Sequence, residues 1–172
     1  LNDATSYSIC LGISGTFTID AGQPASSSNF ISFTSAIASL SCGISGPVVF
    51  NVVAASGPYN EQVVIPQIAG SSAVNTLTIN GNGNTLTFAA TVGNPNTLTL
   101  TGADYTLINN LTIIGTNASA AIACHLWNIA DNNSFTNCTL TVPMGNSTSN
   151  AAFAISGSLT SITAAGPAGS FN

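Results

Sequence analysis

Two aspartates stand 27 residues apart in matching surroundings, Asp104 in GADYTLINNLTI and Asp131 in IADNNSFTNCTL. Paired carboxylates are the minimum equipment for glycoside hydrolysis, one as acid and one as base or nucleophile. Close together, they also share a proton or hold Ca²⁺. The competing role is local: an aspartate hydrogen-bonds its own backbone in the turn before a strand. The neighbours decide between them. Ile108 answers to Phe135, Asn110 to Asn137, Leu111 to Cys138 and Thr112 to Thr139 at the same spacing. A phrase repeated at a period of this size is the signature of stacked supersecondary units. The turn role therefore takes precedence, and no catalytic residue is assigned. Asp104 and Asp131 remain candidate Ca²⁺ ligands, and no other cofactor is expected. A fainter third copy maps Phe135 to Ile162 and puts Ser158 at the aspartate position, so a carboxylate row does not continue.

His125 follows Cys124 in ACHLWNI. Adjacent residues of a strand point to opposite faces, which argues against a zinc site or a Cys–His nucleophile built from this pair. Ordinary packing is expected for His125, and a core position rather than a sugar platform for Trp127. Four cysteines suit disulfides. Cys10 with Cys42 is the preferred bridge, and Cys124 with Cys138 the second choice.

Thr-x-Thr runs begin at Thr76, Thr85, Thr97 and Thr139. A flat threonine array binds ice, but the uneven spacing of these runs predicts that they are scattered. The sequons at Asn110, Asn117, Asn132, Asn137 and Asn146 are expected by chance in a chain this rich in Asn, Ser and Thr.

Composition narrows the partners. Charged residues make up 3% of the 172, with no Lys or Arg, for a net charge of −5. Without cations the chain cannot neutralise phosphates, which excludes nucleic-acid binding and a basic patch for anionic lipid. Polysaccharide-lyase chemistry is disfavoured because it calls for a strong base and a cation. Low charge also removes the repulsion that keeps proteins apart. With 45% apolar residues in short runs, the chain is neither disordered nor membrane-inserted. LNDATSYSIC lacks the basic start and apolar block of a signal peptide, so the chain reads as mature or as part of something longer.

One segment reads as a helix of about twelve residues. Phe30, Phe33, Ile37 and Leu40 recur at spacings of three and four, with Ser28 or Asn29 as the start cap and Gly43 past the end. The rest reads as short strands. TLTI, TLTF and TLTL alternate apolar residues with threonine, as half-buried strands do. The expected fold is all-β, a right-handed parallel β-helix with a coil period near 27 residues in its later coils. Residues 1–43 form an N-terminal segment with a capping α-helix, and residues 44–172 the coils of one continuous domain. Asn110 and Asn137 are expected to stack as a turn ladder along the axis.

The phrases GISGPVVFNV, GPYNEQVVIP, GSSAVNTLTI and GADYTLINNLTI, after an F-x-x-F-x-x-A helix, span residues 13 to 142 in fixed order. In this the chain resembles the β-helix module of large secreted and cell-surface proteins of Bacteroidetes-group bacteria, of the type IX-secreted type. The resemblance implies a right-handed parallel β-helix, an extracellular or cell-surface location, and a role in adhesion or extracellular structure without a catalytic motif. The expected function is a non-catalytic module of a surface filament, appendage or adhesin. Its partners are copies of itself, neighbouring modules of one long chain, or surface glycans. The alternatives are a carbohydrate-active β-helix and an ice-binding protein.

Overall fold

The computed structural model describes residues 9–144, 149–159 and 162–165. The chain runs through β1 (Ile13–Ile19), β2 (Asn29–Phe30), α1 (Phe33–Ala38), β3 (Ile44–Val52), β4 (Tyr59–Asn60), β5 (Val63–Pro66), β6 (Leu77–Asn80) and β7 (Thr85–Phe88). It continues through β8 (Asn96–Thr101), β9 (Thr106–Asn109), β10 (Thr112–Gly115), β11 (Ala121–Trp127), β12 (Ser134–Thr136), β13 (Thr139–Thr141) and β14 (Asn150–Ile155). Strands collect in three sheets, ordered β12-β9-β6-β3-β1-β2, β13-β10-β7-β4 and β14-β11-β8-β5. Every third strand returns to the same sheet and pairs in parallel, which makes the fold a parallel β-helix.

The alternation seen in the sequence sets the inside of the coils. Phe50, Ile79, Ile108 and Phe135 stand in register along the first sheet. Leu86, Ile113 and Leu140 do so along the second, and Val63, Leu98 and Cys124 along the third. Phe50, Ile79, Leu86, Leu98, Ile108 and Ile113 are all essentially inaccessible to solvent. Burying each contributes about 1.5–3 kcal/mol.

The 27-residue period is real but local. It pairs Ile108 with Phe135 and Thr112 with Thr139. One coil earlier the first sheet pairs Ile79 with Ile108, a longer step, whereas the second sheet still pairs Leu86 with Ile113. The extra residues are absorbed in the turn between β6 and β7, where Asn82 and Gly83 take left-handed φ values of 50° and 78°.

The helix is shorter than its apolar spacing predicts. Ser32, not Ser28 or Asn29, is the N-cap, in a reciprocal capping box with Ser35. After Ala38 a 3-10 turn runs over Ser39–Cys42, and Gly43 closes it at φ 81°. A Cβ on Gly43 would collide with the Ala69 carbonyl, so glycine is required there. Asn29 and Phe30 leave the helix because they pair with β1 as β2. Phe30 then stacks edge-on against Phe50 at 5.5 Å, a tertiary gain that overrides local periodicity.

α1 buries Phe33, Ala36 and Ile37 and lies against β5. Phe33 meets Tyr59 edge-to-face at 5.1 Å. Glu61 supplies what the helix start lacks: its carboxylate accepts the backbone N–H groups of Phe33 and Thr34, each at 2.8 Å. A negative charge there satisfies orphan donors and suits the helix dipole. The expected Cys10–Cys42 disulfide is present and ties the entering chain to the helix end. β1 precedes the helix but belongs to the first sheet, in register with β3 from Gly15↔Val48 to Ile19↔Val52. The solenoid therefore begins before residue 44.

At the other end β12, β13 and β14 are the last strands of their sheets among the described residues. Phe135 and Phe153 meet edge-on at 5.4 Å, and Phe153 and Ile155 are 42% and 50% exposed. Of the expected third copy of the repeat, residues 160, 161 and 166 lie outside the described residues, and the described part carries no strand after β14. Ile162 and Thr163 form a turn, and Ile162 is not among the partners of β12.

Candidate functional site

Asp104 and Asp131 occupy equivalent turns, between β8 and β9 and between β11 and β12. The residues after them, Tyr105 and Asn132, both take left-handed φ values, 56° and 59°. Asp104 does not bind its own turn. Its Oδ1 accepts the backbone N–H of Asp131 at 2.7 Å, while the Tyr105 N–H donates to the Asp131 carbonyl at 3.3 Å. Asn133 completes the link, accepting from the Thr106 N–H and donating to the Ala103 carbonyl. The expected turn role thus becomes a bond between coils, because parallel stacking brings the next turn's N–H within reach. As for Ca²⁺, no group of three or more His, Cys, Asp or Glu gathers among the described residues.

The asparagine ladder lies one residue away from the expected one. Asn110 and Asn137 are the left-handed corner residues, with φ 51° and 54°. The ladder itself is Asn51, Asn80 and Asn109, in register on the first sheet. Asn80 donates to Asn51 at 2.8 Å and Asn109 to Asn80 at 3.5 Å. Thr136 and Asn137 both end it by donating to Asn109 Oδ1. The sequence signal was present as asparagine closing FN, TIN and LIN, but the longer step between those coils hides it from a search at 27.

His125 sits on β11 between the core residues Cys124 and Leu126, so its side chain points out of the solenoid. It is nonetheless fully buried, because the chain after β14 folds over it. Nδ1 lies 2.8 Å from Asn96 Oδ1 and Nε2 lies 2.8 Å from Ser156 Oγ. Asn96 also donates to the Leu159 carbonyl, which turns its oxygen to the imidazole and places the ring proton on Nδ1. Serine, imidazole and a carbonyl oxygen in this order match the geometry of a nucleophile, base and orienter. Ser156 is 2% exposed and its hydroxyl also lies 2.9 Å from the Ser158 carbonyl, so the group serves as a clasp. Burial lowers the His125 pKa, which favours the neutral ring. Neither Asn96 nor Ser156 was singled out in the sequence, since only the coil register brings them to His125.

Trp127 is outside the core, contrary to expectation. It points outward like His125, half-buried, and donates its indole N–H to Thr101 Oγ1 at 2.9 Å. Cys124 and Cys138 are free thiols rather than the second-choice disulfide. Cys124 lies on the third sheet, whereas Cys138 lies at the corner between the first and second. Burial, and secondarily Cys138, pushes the Cys124 thiol far above the usual range, so it is inert at neutral pH.

The threonines are less scattered than their runs suggest. Thr112 stands between Thr85 and Thr139 in one row of the second sheet, and Ile114 between Thr87 and Thr141 in the next. With Leu86 and Ile113 facing the core, both rows face outward. A cavity of about 480 Å³ between α1 and the outer face of β5 is lined by Ile37, Leu40, Val64 and Pro66 among others and holds no titratable group. No protein-family model, curated protein or solved structure matches this chain.

Proposed function

We propose that the chain is a non-catalytic structural module of a surface filament, appendage or adhesin, as its resemblance to secreted Bacteroidetes β-helix modules implies. The observation that carries this reading is the contrast between the two ends of one continuous core. At the first end α1 packs onto the core and a disulfide ties down the entering chain, although Ile9 and Leu11 beside it are exposed. At the other end Phe153 and Ile155, which stand in the inward rows of β14, are partly exposed beside the last described strands of three sheets. Parallel strand edges and apolar core of that kind are templates for further pairing. Nearly uncharged sides let such rods pack. The disulfide fits an oxidising, extracellular setting, and among the described residues no helix is long and apolar enough to cross a membrane.

Electron microscopy with sedimentation velocity across a concentration series tests this. Concentration-dependent elongated assemblies, dispersed by Phe153→Asp, are expected. A monodisperse monomer that adheres to no surface would overturn it.

The paired rows on the second sheet favour ice binding as a second reading. Their rungs repeat at about 4.8 Å, set by parallel pairing. Thermal hysteresis that disappears in Thr112→Lys is the expected sign, and its absence in the unaltered protein ends that reading.

A further inference from the structure

The corner between the third and first sheets carries a groove that the structural role does not use. Two adjoining hollows, of about 270 Å³ and about 440 Å³, share Gln67 and Asp104 as walls. The groove crosses three successive coils. Gln67 and Ser71 come from the turn after β5, Gly102 and Asp104 from the turn after β8, and Asn128 and Ile129 from the turn after β11. Strand spacing makes that crossing about 10 Å, the scale of a disaccharide.

The polar groups here are unspent. Asp104 gives one oxygen to the Asp131 N–H, and its other oxygen has no partner among the described residues. The side chains of Gln67, Ser71 and Asn128 make no hydrogen bond among those residues either. That contrasts with the ladder side chains Asn80 and Asn109 on the neighbouring sheet, both of which are bonded.

Gly102 is the floor. At φ 62° it lets the next coil approach closely, since a Cβ there would come 3.0 Å from the Asn128 carbonyl and 3.8 Å from Gln67 Cβ. The Asn128 side-chain amide, 3.4 Å from that Cβ position, and the Gln67 stem therefore flank it. Asn128 and Ile129 are both left-handed, at 57° and 59°, and for a β-branched isoleucine this is a strained conformation. It holds Ile129 at the rim, 49% exposed, as an apolar edge beside the amides. Backbone strain held at a cleft is a mark of ligand sites.

We infer that this groove binds a neutral oligosaccharide. A free carboxylate oxygen, two carboxamides and a hydroxyl offer donors and acceptors together, which suits neighbouring hydroxyls of a sugar, and Ile129 suits the apolar face of a ring. Anionic glycans are excluded by the absence of any Lys or Arg and by Asp104 itself. The site goes beyond the assembly reading and stands independently of it, since the groove lies on the side of the rod and not at its open end.

The test is titration calorimetry of the whole chain with cellotetraose, maltotetraose, mannotetraose and chitotetraose, with trigalacturonate and calcium chloride as further arms. Saturable binding of one neutral series is expected. It should weaken roughly tenfold or more in Gln67→Ala and in Asp104→Asn. The asparagine keeps an oxygen for the Asp131 N–H, and unchanged thermal midpoints identify folded variants. The inference is overturned if no neutral series binds, if trigalacturonate or calcium alone binds, or if the folded variants bind as well as the unaltered chain. Sedimentation of the same variants reports assembly separately, so one reading fails without the other.

Discussion

The two ends of this rod are held by different physics. The first is sealed by apolar packing and a covalent tie. Phe33, Ala36, Ile37 and Leu40 go under α1, Glu61 caps its start, and Cys10 is bonded to Cys42. The last is held by polar contacts, with the chain after β14 clasped through His125, Asn96 and Ser156 while Phe153 and Ile155 stay partly exposed. Apolar packing and a covalent tie do not titrate at ordinary pH. A polar clasp responds to conditions and leaves apolar surface available.

The largest effect should come from breaking the seal. Phe33→Ala removes a fully buried ring that packs on Tyr59 and should cost about 3–5 kcal/mol in urea unfolding. Reducing Cys10–Cys42, or replacing Cys42 with Ser, frees a loop with a sequence separation of 32 and should cost about 3–4 kcal/mol. Glu61→Ala strands the Phe33 and Thr34 N–H groups and should cost about 1–3 kcal/mol by the same measurement.

The far end should be the pH-sensitive one. His125 has a lowered pKa when folded, so below about pH 6.5 the unfolded chain binds the proton more readily than the folded one. Stability is then full above that value and falls as pH drops below it. The midpoint should decline between about pH 7 and pH 5, and hydrogen exchange should speed first near residues 154–159. His125→Gln should flatten that slope. Phe153→Asp should give the smallest change in monomer stability, within about 1 kcal/mol, because the ring is already 42% exposed. Its effect should appear in assembly instead. A large loss of monomer stability would mean that the two ends are sealed alike.

How much was legible varies with how local the cause is. The coil period, the inward rows such as Ile108 with Phe135, and the outward threonines follow from an alternation of two and a repeat of 27. Phe30 was misplaced because helical spacing is a local signal, while its pairing beside β1 and stacking on Phe50 are not. The true asparagine ladder escaped because a longer turn after β6 shifts the step of one sheet without shifting its neighbour.

What the sequence determined by itself was the class of fold and the limits of its chemistry. Alternating apolar residues and turn-forming asparagines call for stacked strands, and a chain without Lys or Arg has no cation to offer an anionic partner. Which polar groups are spent and which are left was decided only by tertiary structure. Asp104 became a bond between coils, His125 a buried clasp, and Gln67, Asp104 and Asn128 the walls of one groove. Those meetings depend on register across separations of some thirty residues, and register is set by the sum of core packing and turn length, not by any one residue.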